Sequence, residues 1–238
     1  MRGGSCAGHG SEAAQGAHYT ASMGVEIPLF PLGVVLFPHM PLPLHIFEER
    51  YRAMMRDCEE QGTGFGIVAI REGQEVGRPA QPHAVGTLAQ LRRVERLSDG
   101  RYNILVVGAS RYRIRDVRAR REYLTADIEY LRDDTGDPRA SAWLAGRLRT
   151  AFQGYADRLR DLADQPRAPL DLPDDPELLG YLVAASLQVE VAHKQRLLEL
   201  DSAEERLRGC LALLRREAAL LERGLVRREL VQVGPTTN

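Results

Sequence analysis

The sequence predicts an α+β protein in which a β-rich half precedes an all-helical half. Apolar runs between residues 27 and 131 are short, rich in Val, Ile, Leu and Tyr, and bounded by proline, glycine or polar turns, which is typical of strands. From residue 139 onwards, apolar residues recur every three or four positions, which is typical of amphipathic helices. We therefore expect a twisted, partly closed antiparallel sheet carrying one helix, followed by an all-helical subdomain that ends in a long helix.

The composition divides the chain into two subdomains flanked by tails. The residues before Met23 are rich in Gly, Ala and Ser and predict a disordered tail, and Met23 is a candidate for the true start of the protein. The acidic segment 133–137 marks the boundary between the subdomains. The expected first tail, β-rich subdomain, helical subdomain and second tail cover residues 1–22, 23–134, 135–232 and 233–238.

A proline-rich segment begins the β-rich half. Because proline has no amide hydrogen to donate, each apolar run between Pro28 and Pro43 is expected to be a short strand or edge segment that ends at a bend. Beyond Pro43 the apolar period becomes helical. The expected apolar face of this helix contains Phe47, Tyr51, Met54, Met55 and Cys58. Gly62, Gly64 and Gly66 then precede a strand instead of opening a helix, so they predict a flexible connection and not a phosphate loop.

A β-hairpin is predicted in the middle of the chain. Strand-like runs at 84–97 and 101–117 are joined by Ser-Asp-Gly, and an Asp-Gly turn between such runs favours a hairpin. A further strand is expected at 123–131. Basic residues alternate along one face of the second run, at Arg111, Arg113 and Arg115. Such a row could contact phosphates, but stacking aromatics are not interleaved on that face, so we expect a solvated outer face balanced by nearby acids.

Helices are predicted throughout the second half, at 139–163, 177–187, 193–198 and 203–231. The apolar face of the first contains Trp143, Leu144, Leu148, Phe152, Tyr155 and Leu159. The second is apolar almost all round and follows an aspartate cap and an early proline. The last begins at a capping box of Ser202 and Glu205. Its heptad stripe consists of Leu207, Leu211, Leu214, Ala218, Leu221 and Leu225. We expect this stripe to pack within the protein; the alternative is a homodimer through the last helix.

Motifs in the first half resemble those of a known family. PLFPLGVVLFP followed by LPLHIFEERYRAMM closely resembles the beginning of the Lon N-terminal domain, the PUA-like substrate-recruiting domain of Lon proteases. The resemblance continues in FGIV and in VGTLAQLRRVERLSDGRYNILVVGASRYRI, and it extends over about residues 27–222. His39 departs from the family, which usually has glycine there. The backbone at His39 is therefore expected to differ from a turn with positive φ.

No catalytic, cofactor or metal site is predicted. Lys194 is the only lysine, and no GxxxxGK motif is present, so the sequence lacks an ATP-binding phosphate loop. A serine–lysine peptidase dyad would also need Lys194, but VAHKQRLL is typical of a helix surface. The histidines and cysteines lack metal-ligand spacing, and His45 is expected to be a hydrogen-bonded structural residue.

Composition also limits the classes of partner and the cellular compartment that we expect for the protein. The formal net charge of −1 does not favour nucleic acid or an anionic membrane as a partner. No apolar run approaches transmembrane length. The three dispersed cysteines do not indicate a disulfide framework, which favours a reducing cytoplasm.

The resemblance implies a stand-alone, non-catalytic domain that binds unfolded or apolar polypeptide segments or a partner from the protease machinery, without ATPase and peptidase modules. The candidate peptide-binding residues are Pro38, Met40, Pro41 and Leu42, because an apolar segment whose prolines hinder strand pairing is expected at an edge or cleft. Two alternatives stay open. The protein could be a structural adaptor that oligomerises through its last helix, or an enzyme of unassigned activity that uses the proline-rich cleft.

Overall fold

A computed structural model of the protein describes residues 25–73, 81–119, 121–134 and 136–232, with side chains as far as Glu222. The first half contains β1 (Val25–Leu32), β2 (Pro41–Ile46), α1 (Glu49–Gln61), β3 (Phe65–Glu72), β4 (Gln81–Pro82), β5 (Val85–Arg96), β6 (Tyr102–Arg118) and β7 (Thr125–Tyr130). The second half contains α2 (Pro138–Leu162), α3 (Pro176–Ser186), α4 (Val191–Glu199) and α5 (Ala203–Gln232). This arrangement confirms the predicted α+β class. The expected tails at 1–22 and 233–238 lie outside the described residues.

Five of the strands close into a ring. β1 pairs with β7, β7 with β6, β6 with β5 and β5 with β3, all antiparallel, and β3 returns to β1 as a parallel pair. β2 lies beside β6, and the short β4 lies beside β3. The partly closed sheet that the sequence predicts is therefore a barrel sealed by one parallel pairing.

Four of the prolines lie within strands and do not end them. β1 runs through Pro28 and Pro31, and β2 runs through Pro41 and Pro43, so the bends predicted at these prolines are wrong. The bend predicted after Pro38 is present, because a turn at His39 follows it. β1 pairs with β7 as far as Pro28 and with β3 from Leu29 onwards, so each of its prolines has a paired strand on one side. β2 pairs with β6 alone among the described strands. Proline is tolerated where its missing hydrogen faces the unpaired side.

Tyr112 fills the interior of the barrel. Its ring is fully buried, and its hydroxyl donates to the carbonyl of Ile67 at 3.2 Å. A Cβ atom on Gly66 or Gly86 would lie 2.5 Å from the Tyr112 hydroxyl oxygen. Both glycines are therefore required by the close approach of this ring, a packing reason that the prediction of a flexible connection at Gly66 did not include.

Helix α1 closes one end of the β core. Tyr51, Met54, Met55 and Cys58 are buried on its inner face, as predicted. Phe47, however, precedes the N-cap residue of α1 and is 52% exposed, so the prediction that it lies on the buried helical face is wrong. Helical spacing does not determine the direction of a side chain that lies before the helix begins.

The β5–β6 hairpin forms as predicted, with Gly100 at φ 81° in its turn. Arg115 contacts Glu129 and Arg118 contacts Asp127 at the surface, which confirms a solvated face balanced by acids for this end of β6. Arg111 is different, because it is only 1% exposed. The connection between α4 and α5 covers this part of β6, so the prediction of a solvated Arg111 is wrong.

Aspartates begin two of the helices, as predicted for α3. The Asp137 side chain accepts from the amide of Arg139 at 2.9 Å, and the Asp175 side chain accepts from the amide of Leu178 at 2.8 Å. A proline follows each aspartate at the first helical position, where its missing hydrogen costs no bond.

The buried face of α2 is narrower than predicted. Leu144, Leu148, Phe152 and Tyr155 are buried and Leu159 is partly buried, but Trp143 is 60% exposed. Trp143 lies 140° around the helix from Leu148 at 100° per residue, where it borders an open groove beside α5. The prediction of a buried Trp143 is therefore wrong.

Helix α5 packs along the other helices. Its predicted cap is present, because the Ser202 hydroxyl accepts from the amide of Glu205 at 3.1 Å. Leu207, Leu211 and Leu214 are buried within the helical core, which confirms internal packing for this part of the stripe. Leu225 lies beyond the described side chains.

Candidate functional site

The connection between β1 and β2 joins the two halves of the protein. Phe37 is buried in the helical core, with its ring centroid 6.2 Å from that of Tyr181 on α3, and Val35 and Met40 pack against the same core. Gln195 of α4 donates back to the carbonyl of Val85 in β5 at 3.0 Å. Side chains of each half therefore contact the other half across one extended interface.

A partly buried carboxylate lies at the centre of this interface. Asp133 accepts from Arg111 of β6 at 2.6 Å, from Arg206 of α5 at 2.8 Å, and from the hydroxyl of Tyr181 at 2.5 Å. Both arginine side chains are fully buried. Both also donate to the carbonyl of Leu200 in the α4–α5 connection, at 2.7 and 2.9 Å. One carboxylate therefore holds the barrel, α3 and α5 together.

Two carboxyl groups at this interface have opposite pKa shifts. Burial raises the pKa of Asp133, but the hydrogen bond from Tyr181 and the charges of Arg206 and Arg111 outweigh it, so the pKa lies below its ordinary value. Burial and the nearby negative charge of Asp133 instead raise the pKa of Glu177. Asp133 is therefore a fixed anion that accepts structural hydrogen bonds, and it is not available as a general acid or base.

A cleft of about 410 Å³ opens beside this carboxylate. Pro38 and His39 line one side, Val107 and Gly108 of β6 the floor, and Glu177 of α3 the other side. His39 adopts φ 65°, and its amide donates to the carbonyl of Gly108 at 2.8 Å. The prediction that the backbone at His39 differs from a positive-φ turn is wrong, because the turn against β6 is kept in spite of the side chain.

An exposed apolar surface runs from this cleft along the sheet. Pro41 lies opposite Val107 and Pro43 lies opposite Leu105, so the side chains of each pair point to the same face. Both prolines are exposed, and Leu105 and Val107 are half-buried. Phe47 extends this face beyond the end of β2. We call these five residues the outer face.

His45 lies at the margin of the outer face. Its Nδ1 is 2.8 Å from the side-chain oxygen of Asn103, and its ring is stacked on that of Phe47 with 6.2 Å between centroids. This contact confirms that His45 is hydrogen-bonded, although the residue is exposed. The hydrogen bond and the ring contact both restrict the orientation of Phe47 beside β2.

The four residues that the sequence predicts for peptide binding are divided between environments. Pro38 is buried and bridges to Gly108, Met40 packs against the helical core, and Leu42 packs against the β core. Pro41 alone of the four lies on the outer face. Strand alternation explains the division of Pro41 from Leu42, because neighbouring side chains of a strand point to opposite faces. Phe47, Leu105 and Val107 were missed because no local pattern marks them as exposed.

The fold buries or bonds the side chains of Lys194, Cys58 and Cys210. Lys194 donates to the carbonyl of Ala185 at the end of α3 at 2.7 Å, and burial lowers its pKa. Cys58 and Cys210 are free and buried, and burial raises their pKa to about 11 and about 12, which disfavours the thiolate. Within the described ranges, no group of three or more metal-ligating side chains could hold a metal ion. Across the same part of the chain, no helix combines the length and the apolarity needed to span a bilayer.

Comparison with known proteins identifies the family. The family model of the ATP-dependent protease La (LON) substrate-binding domain matches residues 26–216. Lon protease of Escherichia coli (strain K12) is 30% identical over 201 residues, which are 83% of this chain and 26% of the relative. Lon protease of Xanthomonas oryzae pv. oryzae is 32% identical over 187 residues, or 77% of this chain and 22% of the relative. The chain thus spans about a quarter of the length of the curated relatives it matches.

Solved structures have the same fold. The crystal structure of a Lon N-terminal domain protein from Xanthomonas campestris has a TM-score of 0.59 and 26% identity, and the match covers 79% of this chain and 98% of that one. The N-terminal domain of a Mycobacterium avium complex Lon protease also has a TM-score of 0.59, at 17% identity, with 80% and 98% covered. The match over residues 26–216 includes the barrel, the helical half as far as α5 and the carboxylate that joins them. This chain belongs to the family of the ATP-dependent protease La (LON) substrate-binding domain.

Proposed function

We propose that this chain is a non-catalytic domain that binds apolar segments of unfolded polypeptides and recruits them for proteolysis. Membership of a substrate-binding family supports this role, and the matched region is distinct from the catalytic part of Lon proteases. Reduced, buried Cys58 and Cys210 fit a cytoplasmic setting. The near-zero net charge fits polypeptide better than nucleic acid or membrane as the partner.

The observation that carries the proposal is the outer face. Phe47, Pro41 and Pro43 are large apolar groups that remain exposed although the barrel core is complete. Apolar surface grouped beside a cleft is typical of a binding site, whereas single exposed apolar residues need no explanation. Burying such side chains against the apolar residues of an unfolded segment removes both from water, which favours binding without a fixed sequence.

We expect the polypeptide to bind mainly through side-chain contacts and not by adding a strand to the edge of β2. Pro41 and Pro43 cannot donate hydrogen bonds, so the open edge of β2 presents mainly carbonyl acceptors. An extended polypeptide added at that edge would leave several of its own carbonyls without donors. The same prolines protect β2 from pairing with another copy of the protein. Pro38, Met40 and Leu42 support the outer face from beneath, and Pro41 contacts the polypeptide directly.

The adaptor alternative is less well supported. An adaptor that dimerises through α5 needs an exposed apolar stripe, but Leu207, Leu211 and Leu214 are buried against the other helices. The enzyme alternative needs titratable groups that converge on a cleft and are free to react. Of the titratable residues that line the cleft, which also include His39 and Glu177, Asp133 is already bound by three donors.

Fluorescence anisotropy with a labelled, permanently unfolded polypeptide tests the proposal. We expect Phe47→Asp and Val107→Asp each to weaken binding by about tenfold or more, because a charge on the outer face must be desolvated. Val117→Asp is the matched control, since Val117 is an exposed valine at the far end of the same strand. Variants that remain folded by circular dichroism and bind like the wild type would exclude the outer face. Failure of the wild type to bind any unfolded polypeptide would contradict the proposed function itself.

A further inference from the structure

A groove of about 620 Å³ runs between α2 and α5 on the helical half. Trp143, Ala142 and Gly146 line it from α2, and Leu211 lines it from α5. The groove shares no residue with the outer face. Trp143 is the only tryptophan of the protein, and 60% of it is exposed. A tryptophan beside an apolar groove is the side chain most often found at the energetic centre of a protein interface.

Two arginines flank the groove, and their positive charge indicates that a negatively charged partner would fit it. Arg147 of α2 lies over the Trp143 ring, 4.9 Å from its centroid, and Arg215 lies on α5. Neither guanidinium has a carboxylate partner among the described residues. None of the residues that line the groove is acidic. Several other arginines of the helical half, although not all, do have such partners: Arg149, Arg158, Arg160, Arg167 and Arg208.

We propose that the groove is a second polypeptide-binding surface, which takes an acidic amphipathic helix of a partner protein. The apolar face of that helix would cover Trp143 and Leu211, and its carboxylates would pair with Arg147 and Arg215. Arginine suits this role because its planar guanidinium can bind a carboxylate through two hydrogen bonds while it stacks on an aromatic ring. An unfolded apolar segment, the occupant of the outer face, has no such charge requirement.

Small residues allow a helix to approach the groove closely. Ala142 and Gly146 are four residues apart and therefore lie on one side of α2. A Cβ atom added at Gly146 would meet no other atom within 4 Å, so the space above this glycine is open. A helix that packs here can place large side chains against the α2 backbone, as ridges of one helix enter the grooves of another.

The fluorescence of Trp143 can measure the binding of a peptide in the groove. The full chain is titrated with a synthetic peptide of about four helical turns that carries leucines on one face and glutamates on the other. We expect a saturable blue shift of tryptophan emission that weakens with added salt. Arg147→Glu and Arg215→Glu should each weaken binding by about tenfold or more, because attraction becomes repulsion. Gly146→Leu should abolish binding by filling the groove, whereas Gly146→Ala, with a smaller side chain, should retain more of it.

Three controls make the result decisive. Arg196→Glu, an equal change of charge at an exposed position on α4, should leave the affinity unchanged. A peptide with lysine in place of glutamate should not bind. Circular dichroism of each variant excludes loss of the fold as the cause. The proposal is overturned if the acidic peptide leaves the emission unchanged, if the lysine peptide binds equally well, or if the charge-reversed variants bind like the wild type. A blue shift that follows protein concentration alone, with a dimer by light scattering, would instead assign the groove to a second copy.

Discussion

Asp133 shows how much a single residue contributes to this fold. In the sequence it belongs to an acidic, turn-forming segment, and such a segment is typical of a solvated linker. In the folded protein it neutralises two buried guanidinium groups, one from the barrel and one from α5. Burying these charges has a desolvation cost, and the carboxylate offsets it only while all three groups are present. The network therefore makes the fold sensitive to the loss of any one member.

Asp133→Asn should lower the free energy of unfolding by about 3–5 kcal/mol, because it leaves two buried positive charges without a counter-ion. Urea denaturation measures this loss. Asp174→Asn is the control, since the Asp174 side chain is fully exposed where it pairs with Arg149. Its loss should be below about 1 kcal/mol. Equal losses for the two variants would contradict the structural role of Asp133.

The same network predicts an acid-sensitive component of stability. The pKa of Asp133 is lower in the folded protein than its ordinary value of 3.8, so the folded state binds the proton less tightly than the unfolded state. The stabilisation is therefore complete above pH 3.8 and is lost as the pH falls through the folded-state pKa. The stability difference between the wild type and Asp133→Asn should be constant near neutrality and shrink at pH values below about 4. A stability difference that grows on acidification would contradict a lowered pKa of Asp133 in the folded protein.

At the scale of elements, residues that continue a similar apolar spacing differ in how far they are buried. Phe47 and Leu214 both continue an apolar series, yet Phe47 precedes its helix and is half-exposed, whereas Leu214 lies inside α5 and is 1% exposed. The difference arises because α5 is covered by other helices along this part of its length, whereas the described residues leave about half of Phe47 uncovered. The apolar period thus identifies the elements but not the neighbours that cover them.

Leu214→Ala should cost about 2–5 kcal/mol of unfolding free energy, because it leaves a cavity in the helical core. Phe47→Ala should cost less than about 1 kcal/mol, since half of its surface is already in water. Thermal and urea unfolding measure both changes. Light scattering should show the same oligomeric state for Leu214→Ala and the wild type, because the stripe packs internally. Conversion of a dimer to a monomer with little loss of monomer stability would favour the adaptor alternative.

At the scale of the whole molecule, the two halves are joined by buried side chains and hydrogen bonds. Phe37 of the β1–β2 connection lies in the helical core, and Gln195 of α4 binds the barrel. Asp134 also exchanges backbone hydrogen bonds with the start of α5, at 3.0 and 3.1 Å. Contacts of this kind couple the stability of each half to the other. Asp133 and Asp134, which lie within the proposed boundary, are therefore held to the helical half by hydrogen bonds.

We expect a single cooperative unfolding transition. Trp143 fluorescence reports on the helical half, and hydrogen exchange of the β6 amides reports on the barrel. The two probes should give the same midpoint in urea for the wild type. Asp133→Asn should lower both midpoints together if the coupling is complete. Separate midpoints in the wild type would show that the halves unfold independently.

The purified chain should hydrolyse neither ATP nor protein. The sequence lacks a phosphate-loop motif, and its only lysine donates to the carbonyl of Ala185 in the fold. Assays of ATP turnover and of casein-like unfolded substrates measure these activities. Turnover that survives purification and disappears in Lys194→Ala would contradict the proposed non-catalytic role.

Much of the architecture could be predicted from local patterns. Alternation and the Asp-Gly turn defined the β5–β6 hairpin, aspartate followed by proline defined the start of α3, and Ser202 with Glu205 defined the start of α5. These signals are reliable because the interactions that produce them lie within a few residues of one another. The candidate site was predicted less well. Pro41 was expected at an edge or cleft and is exposed, but the exposure of Phe47, Leu105 and Val107 depends on which neighbours leave a face uncovered.

The fold class, the order of the elements and the family could be predicted before folding was considered, because each depends on periodicity, capping residues or contiguous motifs. The folded protein was needed to establish the closure of the barrel through β1 and β3, the burial of Arg111 and Arg206 against Asp133, and the exposure of Phe47 and Trp143. Burial depends on the residues that pack from distant parts of the chain. An arginine on a strand is solvated or buried according to what covers that strand, and this information is not present in its local sequence.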